Sequence, residues 1–272
     1  MNSQNLPIGV FDSGSGGLST LRALKEAFPN ESFVYFGDFF YLPYGEKTQD
    51  FLKKRTKQII HFLKDFPCKA IVIACNTASA SIMEDKKFLE SFPVPIFNVI
   101  DPVIEICRNQ PDIKKISVLA TNACIESGIY QKKLAALNKN VPIDGIKASP
   151  LVTLIEQDPF FDNLSNQDFL WKTYTGHVTD NPSHTLILGC THFPFIQPVI
   201  QKQLPLINIV ESGTAVISQL KILFEEQTIL NLLKQNSITI LATEKSSVFQ
   251  KLLNNIFNRE IHYKVIDFPY NG

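Results

Sequence analysis

Twice in this chain a run of small or β-branched apolar residues stops at a cysteine followed by hydroxyl or amide side chains. The first copy is Ala70-Ile71-Val72-Ile73-Ala74-Cys75-Asn76-Thr77-Ala78, and the second is Thr185-Leu186-Ile187-Leu188-Gly189-Cys190-Thr191-His192. An apolar run without polar alternation is the pattern of a strand covered on both faces, as parallel strands are. The polar residues mark the turn at the strand's carboxyl end, which is where ligands bind in open α/β sheets. Two such strands constrain the chain to layered α/β architecture.

The rest of the sequence repeats the pattern. Strands are expected at Ile8 to Phe11, Phe33 to Phe36, Ile96 to Asn98, Ile116 to Ala120, Ile143 to Ala148, Ile207 to Val210, Ile238 to Ala242 and His262 to Ile266. Amphipathic spacing predicts intervening helices, among them 18–28, 48–65, 80–92, 167–178, 195–204, 214–226 and 246–257. One more helix runs from the Cys124 turn to Leu137, another covers Leu151 to Gln157, and 158–166 reads as loop. Alternating strands and helices imply parallel sheets with helices on both faces, and the repeated cysteine turn implies two similar halves facing one another.

At 272 residues there is room for two modest domains. Acidic and basic residues number 26 each, so no charge excess suggests a nucleic acid or a membrane surface as partner. No secretory pattern or membrane-length apolar run is present, and a cytoplasmic protein is expected. Five scattered cysteines without a CxxC pair point away from a disulfide framework or a metal site. Only four residues are arginine (Arg22, Arg55, Arg108, Arg259), none inside a strand-end motif. An anionic ligand must then be held by backbone amides, hydroxyls and side-chain amides.

A thiol between a strand end and a helix amino terminus has its thiolate favoured by the helix dipole, which makes Cys75 and Cys190 candidate bases. An unpaired cysteine is more often a small buried hydrophobe, and Cys68, Cys107 and Cys124 are read that way. Asp12 and Ser13 follow the first strand and precede Gly14-Ser15-Gly16-Gly17; they could cap the next helix, accept a proton from Cys75 or orient an ammonium group. His192 is the one histidine in a strand-end turn and could polarise Cys190. Glu156 could be a plain surface carboxylate. Pro43-Tyr44-Gly45 could be an ordinary turn, but it follows a strand on the ligand side.

Taken in order, Asp12-Ser13-Gly14-Ser15-Gly16-Gly17, Pro43-Tyr44-Gly45, Ala74-Cys75-Asn76-Thr77-Ala78, Pro150-Leu151-Val152 with Glu156, and Gly189-Cys190-Thr191-His192 resemble the glutamate racemase family. Each motif alone is weak, and all five in sequence are specific. The resemblance implies two flavodoxin-like parallel-sheet domains in pseudo-symmetric arrangement with the site between them. The first would be 1–98 plus 208–272, and the second 99–207. It implies cofactor-independent racemisation of glutamate without metal, a homodimer, and a role in supplying D-glutamate for peptidoglycan. Cys75 and Cys190 match the family's two catalytic bases, assisted by Asp12 and by His192 with Glu156. Asp12, Ser13, Pro43, Tyr44, Gly45, Asn76, Thr77, Thr121, Thr191 and His192 match its binding positions. Cys124 and Glu211 depart from the usual threonine and aspartate. The alternatives are an aspartate or hydantoin racemase of the same superfamily and a non-catalytic binding protein. Deuterium incorporation at the Cα of each candidate substrate would separate them.

Overall fold

The computed structural model of the chain describes residues 5–137, 140–159, 161–227, 229–231, 236–258 and 260–269. Its strands are β1 (Ile8–Asp12), β2 (Phe33–Gly37), β3 (Ala70–Ile73), β4 (Ile96–Asn98), β5 (Lys115–Ala120), β6 (Ile143–Lys147), β7 (His184–Gly189), β8 (Asn208–Glu211), β9 (Ile238–Ala242) and β10 (Lys264–Val265). They form two all-parallel sheets, one ordered β10-β9-β2-β1-β3-β4 and the other β6-β5-β7-β8. The fold is α/β, as the alternation predicts.

Burial explains the strand composition. Every residue of β1, β2, β3 and β7 is buried, so polar alternation has no place in them. β6 lies at a sheet edge and is partly exposed throughout, which is why Asp144 and Lys147 are tolerated there. In helix Gln49–Asp65 the buried positions Leu52, Arg55, Thr56, Ile59, Ile60 and Leu63 follow helical spacing, and Thr48 caps its start by accepting the Phe51 N–H. Arg55 is the anomaly on that apolar stripe.

Each sheet has a point where the connections turn from one direction to the other. In the first it lies between β1 and β3, and in the second between β5 and β7. Chains leaving adjacent strands to opposite sides open a crevice there. The β1 turn carries Asp12 and Ser13, and the β3 turn carries Cys75. The β5 turn carries Thr121, and the β7 turn carries Cys190.

Several expected boundaries move. Strand Asn208–Glu211 pairs with β7, so it belongs to the second sheet rather than to a first domain resuming at 208. The expected 80–92 helix is two pieces, Asn76–Ile82 and Lys86–Glu90, because Asp85 caps a fresh start by accepting the Phe88 N–H. The helix after Cys124 breaks at Gly128, whose φ of +67° lies in the left-handed region that glycine adopts most cheaply. Helix Leu164–Leu170 begins inside the expected loop, capped by Asn163, and gives way to a π turn at Trp171–Thr175. The last strand is only Lys264–Val265. Among the described residues no helix is long and apolar enough to cross a membrane.

One buried ion pair ties the first sheet to the segment before β9. Lys69 and Glu31, with side chains 1% and 2% exposed, lie 2.6 Å apart. Lys69 Nζ also donates to the Ile229 carbonyl, and Glu31 Oε1 accepts the Asn231 N–H. Lys69→Met keeps the apolar stem and leaves Glu31 charged and uncompensated. The expected cost is about 3–5 kcal/mol in urea unfolding. Adding Glu31→Gln should recover much of it, because the stranded charge is then gone.

Candidate active site

The four strand-end turns converge on one small cavity. It is lined by Ser13, Leu42, Pro43, Tyr44, Gly45, Cys75, Asn76, Thr77, Thr121, Val152, Cys190, Thr191 and His192. Both sheets contribute, and each sends one thiol. No arginine or lysine is among these residues. The donors are hydroxyls, one amide and the backbone of Tyr44 and Gly45, where a short 3-10 turn starts with amides that lack intrahelical acceptors. Asp12 and Glu156 lie behind the lining and act through its members.

Cys75 caps helix Asn76–Ile82, its Sγ accepting the Ala78 N–H at 3.5 Å. The thiol donates to Ser13 Oγ at 3.6 Å. Burial raises its pKa to about 12, reinforced by the Asp12 carboxylate; the Ala78 and Ser13 hydrogen bonds pull the other way and lose. The helix dipole alone favours a thiolate here, so sequence reasoning overrated it: desolvation is the larger effect. Cys75 therefore stands as a protonated thiol.

Cys190 has a different neighbour. Its Sγ is 3.8 Å from His192 Nδ1, and His192 Nε2 is 2.7 Å from Glu156 Oε1. Burial works against charge on His192, but its hydrogen bonds to Cys190 and Glu156 outweigh that and hold its pKa well above the ordinary value. Burial also opposes charge on Glu156, yet the His192 bond and Ser15 hold its carboxyl below the usual range. Ser15 Oγ donates to Glu156 Oε1 at 2.6 Å. The result is an imidazolium–carboxylate pair, the imidazole buried and the carboxylate partly so, whose second N–H points at the Cys190 sulfur.

Asp12 links the halves rather than meeting Cys75. Its Oδ1 accepts the Gly14 N–H at 2.8 Å, and its Oδ2 accepts the Thr191 hydroxyl at 3.0 Å. Burial pushes its carboxyl upward, while His192 and these donors favour its charge. Thr77 and Thr121, from opposite sheets, share a hydrogen bond at 2.8 Å. Asn76 is held at both ends: Nδ2 donates to Tyr130 Oη at 2.9 Å, and Oδ1 accepts from Ser212 Oγ at 3.0 Å. Ser15, Tyr130 and Ser212 join the site beyond the residues expected from sequence. Ser15 sits inside a quoted motif, and Ser212 lies in the Glu211-Ser212-Gly213 echo of the first turn. Tyr130 has no local signal at all.

Residues 8–220 match the sequence profile of the Asp/Glu/Hydantoin racemase family. The chain belongs to that family, among its glutamate racemases. The glutamate racemase of Aquifex aeolicus is 34% identical over 263 residues, 96% of this chain and 97% of that one. A solved glutamate racemase from Francisella tularensis, in complex with D-glutamate, superposes with a TM-score of 0.85 at 30% identity, covering 97% and 98% of the two chains. An isoform from Bacillus anthracis gives 0.85 at 28% identity over 98% and 99%. The racemase fold thus extends over nearly the full length, beyond the 8–220 span.

Gly16 shows how tightly the halves of the racemase meet. A Cβ built there would lie 2.5 Å from both His192 Nδ1 and Thr191 Oγ1. Gly16→Ala must displace both of these side chains or its own backbone, and a shift of about 1 Å in a positioned group can cost roughly 10²-fold in rate. The expected result is that loss, with a thermal midpoint close to the parent's. An unimpaired rate would mean that His192 can give way freely.

Proposed function

We propose that the chain interconverts L- and D-glutamate by a two-base mechanism in which Cys75 and Cys190 act on opposite faces of the substrate Cα. The observation that carries the reading is the convergence of two strand-end thiols, one from each sheet, on one cavity. Inverting a stereocentre by proton transfer needs an acceptor on one side and a donor on the other. Cys190, beside the His192 imidazolium, takes the α-proton of L-glutamate as a thiolate. Cys75, held protonated by burial, delivers its proton to the other face. The thiols then carry exchanged roles, and the reverse sequence starts from D-glutamate.

The Ser13 hydroxyl, the free hydrogen of the Thr77–Thr121 pair, the second N–H of the Asn76 amide and the Tyr44–Gly45 backbone supply donors for the carboxylates and for charge that develops at the α-carboxylate as the proton leaves, while the Thr191 hydroxyl is committed to Asp12. Their preorganisation in a dry cavity makes them effective, because no solvent has to reorient. The same reading carries with it a supply of D-glutamate to peptidoglycan synthesis.

The test is incubation of the purified chain with each enantiomer of glutamate and of aspartate in heavy water. Deuterium is expected at the Cα of both glutamates, with formation of the opposite enantiomer. Exchange of aspartate alone would sink the substrate assignment, and no exchange at all would return the chain to a binding role.

A further inference from the structure

We propose that Arg55 is a positioning residue that fixes Tyr44 at the cavity wall through Asp38, and that the segment Phe268–Pro269 is the latch holding Arg55 in place. The proposal rests on the proposed function in one respect, that Tyr44 and Gly45 wall the substrate cavity.

Arg55 is tied to the cavity wall through Asp38. Its guanidinium clamps Asp38 in a two-pronged pair, Nε to Oδ2 at 2.8 Å and Nη2 to Oδ1 at 2.8 Å, with both side chains fully buried. Asp38 Oδ2 in turn accepts the Tyr44 hydroxyl at 2.5 Å. The Tyr44 phenol is therefore committed to the wall behind it, and what that residue presents to the cavity is its ring and backbone. Gly45 follows in the same turn, where a Cβ would meet Thr121 Cβ at 2.7 Å. A small retreat of the Tyr44 turn would open the cavity at the contact between the halves.

The remaining guanidinium donors go to distant parts of the chain. Nη2 donates to the Phe268 carbonyl and Nη1 to the Pro269 carbonyl, each at 2.9 Å, and Nη1 also reaches Gln58 Oε1 at 3.4 Å. All five N–H groups that an arginine owns have acceptors. The guanidinium is sandwiched as well, 4.5 Å from the Phe268 ring centroid and 4.7 Å from that of Tyr41. Thr243 closes the set, donating to Asp38 Oδ1 at 3.3 Å and accepting the Phe40 N–H at 2.9 Å. Residues from β2's exit, the second turn of helix Gln49–Asp65, the β9 exit and the closing segment thus meet at one charge. A lysine cannot reproduce the arrangement, since its ammonium has neither the planar fork nor enough donors.

The test compares the parent with Arg55→Lys and with a chain ending at Asp267, which deletes the two carbonyl acceptors and the Phe268 ring. Displacing the Tyr44 turn weakens substrate binding without touching either thiol. KM should therefore rise about tenfold for both enantiomers, and kcat should fall as well, because the Tyr44–Gly45 amides also serve the charge that develops as the proton leaves. A residue that served stability alone would lower the folded fraction and leave KM unchanged; that outcome overturns the proposal. Amide hydrogen exchange provides a readout independent of activity, with faster exchange expected over residues 39–47 in both altered chains. Unchanged exchange there overturns the latch whatever the kinetics show. A parent that fails to racemise glutamate would refute the proposed function, and the exchange experiment would still judge the latch.

Discussion

Cys75→Ala and Cys190→Ala are each expected to lower racemisation by on the order of 10³-fold, the loss typical of removing a positioned acid or base. The effect should be similar for both because inversion needs both faces: with either thiol gone, a proton can leave but cannot be returned from the opposite side. The residual chemistry should differ. Cys75→Ala retains the Cys190–His192–Glu156 arrangement, so any deuterium taken up in heavy water should enter L-glutamate with retention of configuration. In Cys190→Ala the surviving thiol is the one that burial holds near a pKa of about 12, so slow uptake should be confined to D-glutamate. Chiral chromatography with mass detection of Cα deuterium reads both quantities. Racemisation at the parental rate by either variant would rule the two-base mechanism out.

Glu156→Gln is expected to be the most informative change away from the thiols. After Cys190, the Glu156 carboxylate is the second group that holds His192 protonated against burial, and removing its charge leaves Cys190 to oppose desolvation without it. The pKa of His192 should fall, so the alkaline limb of kcat/KM should move to lower pH, with a loss in rate of about 10- to 10²-fold near neutrality. Stability gives a second signature through linkage. His192 has a raised folded pKa, so its contribution is complete below the unfolded value of about 6.5 and disappears as pH climbs through the folded one. Glu156 has a depressed folded pKa, so its contribution is complete above about 4.3 and disappears as pH falls through the folded one. The difference in urea midpoint between parent and variant should therefore be greatest between about pH 4.3 and 6.5 and shrink on both sides. An unmoved alkaline limb would mean that Glu156 does not govern the protonation of His192.

The legible parts of the site share a physical character. Asp12, Ser13, Cys75, Asn76, Thr77, Thr121, Cys190, Thr191 and His192 all follow buried parallel strands, and a polar group abruptly ending an apolar run is visible in one dimension. Their supports are not. Asp38 and Arg55 are a turn residue and a helix residue whose significance lies only in the fork between them and the Phe268–Pro269 carbonyls, more than 200 positions away in the chain. Tyr130 reads as one more apolar helix position until its hydroxyl is found on Asn76. Local chemistry also misled in one respect, since position at a helix amino terminus favours a Cys75 thiolate and the surrounding burial reverses the sign.

Sequence alone determined the alternation of buried strands and helices, the two thiol turns, and the family to which their order belongs, because strand burial and turn chemistry are written in consecutive residues. Tertiary structure decided what sequence could not. It assigned strand Asn208–Glu211 to the second sheet, brought the two switch points face to face, and set the two cysteines in unlike environments. Cys75 is held protonated by burial beside the Asp12 carboxylate, while Cys190 lies against a charged imidazole. That asymmetry comes from groups converging from both sheets, and the electrostatics of a site depend on distance in space rather than along the chain.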